Sequence, residues 1–413
     1  MSIIVVGGGV AGVRAALGAR AEAPKATVTL FCDEAISPYD RTSLSKQVLL
    51  GECAPEDMPI IPAEDYVTER ITVLRGVCVE EVNHTARLLT ASDGTTHSYD
   101  SLILATGADI RRLPFDNGNI QHLHYLRTRE DAMKVRARLG ESQRLVVIGA
   151  GLIGLEVAAA AQAMNIEVDV LEASHSILGR CCDALTATTV ERYHLDHGVR
   201  IHTNCRVASL ANTQNAPVLV RLDDGTCLEA DLVVAGIGVV PNTALAERAG
   251  VAIDNGIIVD EFGRTSLSGV YAAGDVAQIP LPFFSSPVRL ETWRHAQDHG
   301  DVIGRNAAGA KQAYQAPPSF WSDQYGHRIQ GAGLISEEAT NRITRTYEDG
   351  SHVSFHMTNH GVLRTAIGID RPQDINCARR LIAAGVPIVP AELADPQIAI
   401  SKIVKQTKPK KVT

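Results

Sequence analysis

No two of the eight cysteines of this 413-residue chain stand in a C-x-x-C pair, which removes the usual spacings of dithiol redox centres and zinc sites. Cys181 and Cys182 are adjacent, but neighbouring cysteines close only a strained disulfide, so the cysteines are read as reduced, mostly buried thiols. Positive charge is not in excess. The formal net charge of −8 argues against a general nucleic-acid binder. Long unbroken apolar runs are missing too: the longest, "LVVIGAGLIGLEVAAAAQAM", is interrupted by glycines and by Glu156. It fits a buried strand, turn and helix better than a membrane span. The N-terminus has neither a basic leader nor a small-residue cleavage site, so a cytoplasmic protein is expected.

What is present describes a globular chain of two or three domains. Hydrophobic residues make up 45% and charged residues 21%, ordinary values for such proteins. The charge is uneven: from Ser319 to Thr413 there are 12 Lys and Arg against 9 Asp and Glu. Lys402, Lys405, Lys408, Lys410 and Lys411 concentrate at the end. They form either a solubilising tail or a face for an acidic partner.

The strongest signal is a duplicated one. "IIVVGGGVAGVRAA" carries Gly7, Gly9 and Gly12, and "LVVIGAGLIGLEVAA" carries Gly149, Gly151 and Gly154. A lone G-x-G-x-x-G is weak until a strand precedes it, a helix follows and an acid ends the next strand. Both copies meet all three conditions. Ile3 to Val6 precede the first, a helix is predicted from Val10 to Ala23, and "TVTLFCDE" brings Asp33 and Glu34. Leu145 to Ile148 precede the second, a helix runs to about Asn165, and "EVDVLEAS" ends at Glu172. The residue types follow from the ligand: a pyrophosphate needs backbone N–H groups and a helix N-terminus close by, which a Cβ would obstruct. Two such units predict two dinucleotide sites. Glu172 would repel a 2′-phosphate, which favours NADH over NADPH; His175 and Arg180, eight residues on, are the nearby bases that could soften that preference.

"YDSLILATGA", with Thr106 and Gly107, and "ADLVVAGIGVVPN", with Gly238, each close a strand on a glycine turn. "TSLSGVYAAGDVA" adds Gly274 and Asp275 after a further strand. Together with "PYDRTSLSK", "YLRTREDA", "RLETWRHAQDHG" and "FWSDQYGHRIQGAGL", these stretches resemble the NADH-dependent ferredoxin reductases of bacterial Rieske oxygenase systems. Rubredoxin and putidaredoxin reductases are close by. The resemblance runs in order along essentially the whole chain. One departure bears on the stiffness of the loop beside the flavin: Thr42 and Ser43 stand where the family usually has Pro-Pro.

The resemblance implies an α/β flavoprotein of the glutathione-reductase type, two Rossmann-like dinucleotide-binding domains plus a C-terminal α+β domain. The division would be 1–110 for FAD, 111–236 for NAD, 237–318 for the return to the FAD domain, and 319–413. It places Ala11, Asp33, Arg41, Lys46, Val79, Arg127, Asp275 and Trp293 around FAD, and Ile153, Glu156, Glu172, Gly238 and Glu291 on the NADH side. Lys46 and Glu156 form a candidate catalytic pair, an ammonium favouring the incoming hydride and a carboxylate holding it; taken singly, each could be a surface charge. Thr292 is expected to start a helix to about Asn306 whose positive end would stabilise a reduced flavin. Trp321 is either packing or a flavin-edge or partner-facing residue.

Disulfide reductases and thiol peroxidases of this fold need cysteine beside the flavin, where this chain has Thr42 and Ser43. Electrons would therefore leave the flavin directly. The resemblance implies hydride transfer from NADH to FAD and then single-electron transfer to a [2Fe-2S] ferredoxin. That carrier would feed a Rieske oxygenase or cytochrome P450 in aromatic hydrocarbon catabolism. Rubredoxin as carrier, NADH oxidation by oxygen, and an apoptosis-inducing-factor-like signalling role are the rivals; a monomer or homodimer is expected. The histidines at 122 and 124, 194 and 197, and 352, 356 and 360 could each be read as metal ligands, but the last set sits in alternating, strand-like sequence where a four-residue step forms no compact ligand face, and no metal site is predicted.

Overall fold

The computed structural model describes residues 1–213 and 217–407, so Lys408, Lys410 and Lys411 of the basic tail lie outside the described residues. The chain divides into two compact units, one made of Met1–Arg41, Ala54–Asp109 and Val239–Pro318, the other of Thr42–Cys53, Ile110–Gly238 and Ser319–Thr413. The short segment Thr42–Cys53 clusters with the second unit rather than with the residues that flank it in sequence. Among the described residues no helix is long and apolar enough to cross a membrane.

The first unit is built on a five-stranded parallel sheet in the order Val270–Ala272, Ser101–Leu104, Ser2–Val6, Thr27–Cys32, Ile71–Arg75. Its central strands, Ser2–Val6 and Ser101–Leu104, are aliphatic runs buried on both faces, as a parallel sheet covered by helices requires, while the edge strand Ile71–Arg75 is only partly buried. Val5 lies level with Leu30 on one side and Ile103 on the other. The helices Val10–Glu22 and Trp293–Ala307 pack together beside it. Ala16, Ala19 and Ile303 lie in the same core as Val5 and Leu30. The two helices approach at backbone distance. A Cβ on Gly304 would stand 2.0 Å from the Ala15 carbonyl oxygen, one on Gly300 2.4 Å from that of Ala11, and one on Gly18 2.3 Å from that of Asp301.

The second unit repeats the plan, with parallel strands in the order Arg200–His202, Glu167–Leu171, Arg144–Ile148, Leu232–Ala235, Leu123–Tyr125. Its C-terminal part is a five-stranded antiparallel sheet ordered Ser319–Gln324, His327–Gly333, Leu363–Ile369, His352–Met357, Asn341–Thr346, with the helix Pro372–Ala384 packed on it. The sequence shows three strand-like runs here, Arg328 to Leu334, His352 to Met357 and Leu363 to Ile369, and a helix near Asp374 to Ala384; the strands Ser319–Gln324 and Asn341–Thr346 add to them. Ile329, Ile367 and Ile369 of this sheet share one core with Leu155 and Val157 of the helix Leu152–Ala163. Arg345, 1% exposed, ties the end of the chain down by donating to the carbonyls of Glu392, Leu393 and Ile398. Each unit also has a three-stranded antiparallel sheet, Val79–Asn83, Leu88–Ala91 and Thr96–Ser98 in the first and Val207–Ala211, Val218–Leu222 and Cys227–Ala230 in the second.

Replacing a helical glycine by alanine ordinarily stabilises by about 1 kcal/mol, so the sign at Gly304 is diagnostic of the backbone contact. Gly304→Ala should instead destabilise by about 1–3 kcal/mol, read as a lower thermal midpoint. A midpoint that rises would mean that the two helices can part at no cost.

Candidate active site

In the first glycine turn each glycine has its own reason. Gly7 has φ of +119° and passes so close to the neighbouring strand end that a Cβ would sit 2.1 Å from the Ala105 carbonyl oxygen. A Cβ on Gly12 would sit 1.9 Å from the Gly7 carbonyl oxygen. Gly9 is different: its Cβ would meet nothing within 4 Å. Gly9 is also the N-cap of Val10–Glu22 and gives no side-chain cap to the helix. No protein atom near that place requires a glycine, which leaves the helix N-terminus open to a phosphate.

At the end of the next strand Asp33 and Glu34 border a cleft also lined by Gly8, Ser37 and Arg41. Glu34 accepts hydrogen bonds from Tyr39 Oη at 2.7 Å and Arg41 Nη2 at 2.8 Å. Thr106 and Gly107, past the strand Ser101–Leu104, tie to the chain's return: Thr106 Oγ1 donates to the Asn242 carbonyl at 2.7 Å, and the Gly107 carbonyl accepts from Asn242 N. Gly274 turns the chain with φ of +76°, and a Cβ there would meet that of Ala11 at 2.5 Å. Asp275 is thereby carried next to the glycine turn. Val79 opens the antiparallel strand Val79–Asn83, two residues after Val77, whose N–H donates to the Cys32 carbonyl at 3.0 Å.

Thr292 caps the helix Trp293–Ala307, its Oγ1 accepting from His295 N at 3.4 Å. Trp293 is half-buried in the first turn. The sequence reading missed what lies one turn on: His295 and His299 are both buried and stack at 4.8 Å, with Tyr314 against them. His299 Nδ1 accepts the Gly274 N–H at 3.1 Å, which fixes the turn that carries Asp275. Their i, i+4 spacing in "WRHAQDHG" is the signal that could have found them.

The second glycine turn repeats the first. Gly149 has φ of +101°, a Cβ on it would stand 2.6 Å from the Gly236 carbonyl oxygen, and one on Gly154 2.1 Å from that of Gly149. Around Gly151 there is again nothing within 4 Å, and the helix Leu152–Ala163 begins there without a side-chain cap. Ile153 in its first turn is 46% exposed. Glu172 is held at the strand end, Oε2 accepting from Ala150 N and Oε1 from Ser174 N, both at 2.8 Å. Gly238, φ +103°, has the Arg180 guanidinium beside it.

The helix that begins at the second turn also carries Glu156, 4% exposed. Three donors converge on it. Lys46 Nζ lies 3.0 Å from Oε1, Ser322 Oγ donates to Oε1 at 2.5 Å, and Ser45 Oγ donates to Oε2. Lys46 also donates to the Thr42 carbonyl at 3.2 Å. Ser45 and Ser322 were not singled out by sequence, although both stand beside residues that were. Trp321, on the other face of the same strand, has the Arg328 guanidinium 6.0 Å from its ring centre. Arg127 precedes the capped helix Arg129–Leu139 and donates its backbone N–H to Asp131.

The pyridine nucleotide-disulphide oxidoreductase profile matches residues 1–300, and the Reductase C-terminal profile residues 319–404. The chain belongs to the pyridine nucleotide-disulphide oxidoreductase family. Rhodocoxin reductase of Rhodococcus erythropolis is 35% identical, covering 96% of this chain and 92% of that one. The ferredoxin–NAD(+) reductase component of the anthranilate 1,2-dioxygenase system of Burkholderia cepacia is also 35% identical, over 96% and 98%. Among solved structures, the covalent putidaredoxin reductase–putidaredoxin complex matches with a TM-score of 0.93 at 33% identity, covering 99% of both chains.

For an oxidoreductase named for disulphides, the thiols of this chain are placed unhelpfully. Cys32, closest in sequence to the first acids, is buried, and burial pushes its thiol up to about 12. The Cys181 and Cys182 sulfurs are 3.8 Å apart and unbonded. Of the seven histidines singled out by sequence, His194, His352 and His356 are buried. His356 pairs with Asp183 at 3.2 Å and His352 lies 3.4 Å from Thr186 Oγ1; among the described residues there is no cluster able to hold a metal. The oxidoreductase's two units each gather part of the residues assigned from sequence. Lys46, Arg127 and Trp321, expected by the flavin, belong to the second unit, and Glu291, expected by NADH, belongs to the first, where it pairs with Arg289 at 2.7 Å.

Two outcomes test this geometry. Because a Cβ at Gly9 or Gly151 would meet nothing within 4 Å, alanine at either should lower the thermal midpoint of the ligand-free chain by no more than the small cost of alanine at an N-cap. Gly9→Ala should cost about tenfold or more in FAD retention and Gly151→Ala about tenfold or more in NADH affinity, roughly 1.4 kcal/mol each; unchanged binding would show that the cradles are only turns. The second concerns pH. Burial lowers His295 to about 4 and holds His299 well below its usual range, while the unfolded chain protonates both near 6.5. Their neutral forms therefore contribute stability that is present above pH 6.5 and is lost as pH falls towards 4, at up to about 1.4 kcal/mol per pH unit for each. His299→Gln, whose carbonyl can still accept the Gly274 N–H, should flatten the fall of the thermal midpoint between pH 6.5 and 4.5.

Proposed function

We propose that this chain is an NADH-dependent flavoprotein reductase that passes electrons from NADH through FAD to a one-electron iron–sulfur carrier, a [2Fe-2S] ferredoxin, in the service of an oxygenase. The observation that carries the proposal is the pair of glycine turns whose middle glycines, Gly9 and Gly151, face no protein atom. In one chain they are two phosphate cradles. When bound, FAD takes a two-electron hydride and releases electrons singly, which is why it suits such a carrier.

The residues do the rest. In the first unit Gly7, Gly9, Ala11 and Gly12 would cradle the FAD pyrophosphate, with Asp33 and Glu34 on the adenosine side. Thr106, Gly107, Gly274 and Asp275 would line its path, and Thr292 and Trp293 would present a helix N-terminus. In the second unit Gly149, Gly151, Ile153 and Gly154 would hold NADH, and Glu172 would take its ribose hydroxyls while repelling a 2′-phosphate. Lys46 supplies positive charge where hydride transfer builds negative charge, and Glu156 keeps that ammonium in one place. Thr42 and Ser43 provide no thiol to intercept the electrons. The relatives named for dioxygenase and rhodocoxin systems support the same reading. The four-part division at 110, 236 and 318 and a cytoplasmic location belong to this proposal.

The decisive experiment mixes the yellow protein anaerobically with NADH and then with oxidised [2Fe-2S] ferredoxins and rubredoxins. Bleaching of the flavin followed by reduction of a carrier is expected; rapid oxygen consumption with no carrier present would point instead to an NADH oxidase. Glu156→Gln should slow flavin reduction by NADH about tenfold or more, ~1.4 kcal/mol of barrier, as followed by stopped-flow absorbance.

A further inference from the structure

Glu156 is the end of a longer hydrogen-bonded line that runs through the second unit. Tyr325 Oη lies 3.0 Å from His194 Nδ1, His194 Nε2 lies 2.8 Å from Gln324 Oε1, and Gln324 Nε2 donates to Ser322 Oγ at 2.9 Å. Ser322 Oγ then donates to Glu156. With a neutral imidazole and an ionised carboxylate, only one assignment of protons satisfies every link: Tyr325 O–H into Nδ1, the imidazole proton on Nε2 into the amide oxygen, the amide N–H into the serine, and the serine O–H into the carboxylate. All four donors point the same way. Aligned bonds of this kind polarise one another in a dry interior, and Gln324, Ser322 and His194 are buried.

The protonation states agree with that direction. Burial lowers His194 to about 4, so the ring is neutral near pH 7, and burial raises the Tyr325 phenol, so it keeps its proton. The backbone also agrees. Tyr325 and Gly326, with φ of +51° and +79°, form the two-residue turn between Ser319–Gln324 and His327–Gly333. A positive φ is costly for an aromatic residue. The turn places Tyr325 against the end of the helix Ala184–Asp196, on His194 and stacked on His197 at 4.0 Å.

We propose that His194, Gln324 and Tyr325 are positioning residues for Glu156, and through it for Lys46, so that the C-terminal sheet takes part in hydride transfer. The line is a brace rather than a proton wire, because the Gln324 amide accepts at one atom and donates at another and has no proton to pass on in its stable form. The proposal rests on the reading of Glu156 as part of the hydride-transfer machinery.

The test uses the FAD-loaded enzyme. Gln324→Met, close in volume, cuts the line without touching Lys46, Ser45, Ser322 or Glu156, and Tyr325→Phe removes only its far end. Gln324→Met should lower the limiting rate of flavin reduction by NADH about threefold to tenfold, with the NAD+ dissociation constant measured by calorimetry changed less than about twofold. The same substitution in a Glu156→Gln background should have no further effect, since a residue that acts through another loses its effect when that other is removed. Independently of activity, nitrogen-15 spectra of the histidines should show His194 neutral with its proton on Nε2 at pH 7. A proton on Nδ1, a Gln324→Met rate equal to the parent's, or an equal further loss in the Glu156→Gln background would overturn the proposal. Should Glu156→Gln itself reduce at the parent rate, the hydride-transfer role of Glu156 falls, and this inference with it; a slow Glu156→Gln beside an unaffected Gln324→Met removes the brace alone.

Discussion

A carboxylate taken out of water has to be surrounded by donors, or its burial costs more than the fold can offset. Glu156 meets that requirement with Lys46, Ser45 and Ser322. The carboxylate and its partners come from three separated stretches of chain: Glu156 from the helix of the second nucleotide turn, Ser45 and Lys46 from the segment Thr42–Cys53, and Ser322 from the first strand of the C-terminal sheet. The satisfaction of one buried charge thus explains why so short a segment clusters with the second unit, and why the C-terminal sheet shares a core with that helix. In the proposed reaction the same constraint would serve the chemistry, because a charge pair held by its surroundings would need no rearrangement when negative charge develops beside it.

The glycine turns show the same economy in the opposite direction. Gly7 and Gly12, like Gly149 and Gly154, are glycine because the protein's own backbone occupies the place of a Cβ. Gly9 and Gly151 are glycine with that place vacant of protein. A motif usually treated as one feature therefore divides into a part that the fold needs and a part that only a ligand explains. His299 adds a third support, outside the motif, by holding the Gly274 turn through a neutral ring nitrogen.

Much of this was legible beforehand. The first and second strand–turn–helix units, the strand before Asp275, the capped helix after Thr292 and three of the five C-terminal strands lie where hydrophobic period and glycine punctuation put them. Ser319–Gln324 and Asn341–Thr346 were not, because "SFWSDQ" and "NRITRT" are polar enough to pass for loop. Val79–Asn83, "VEEVN", fails in the same way: a strand at a half-exposed sheet carries charge and loses its alternation. The buried pair His295 and His299 was overlooked for a related reason, since a polar residue in a helix gives no local sign of being enclosed.

Spacing within some thirty residues was enough to specify two strand–glycine turn–helix units and the acids that end the strands after them, since a turn, a helix start and a strand end are each decided by near neighbours. Partners were another matter. That Glu156 would be buried, that Ser322 and Ser45 would donate to it, and that Tyr325, His194 and Gln324 would line up behind them was decided only by the tertiary structure. Hydrogen-bond partners separated by more than a hundred residues leave no pattern in sequence, because burial and orientation arise when sheets and helices pack, and only then does a polar group lose the water that would otherwise have served it.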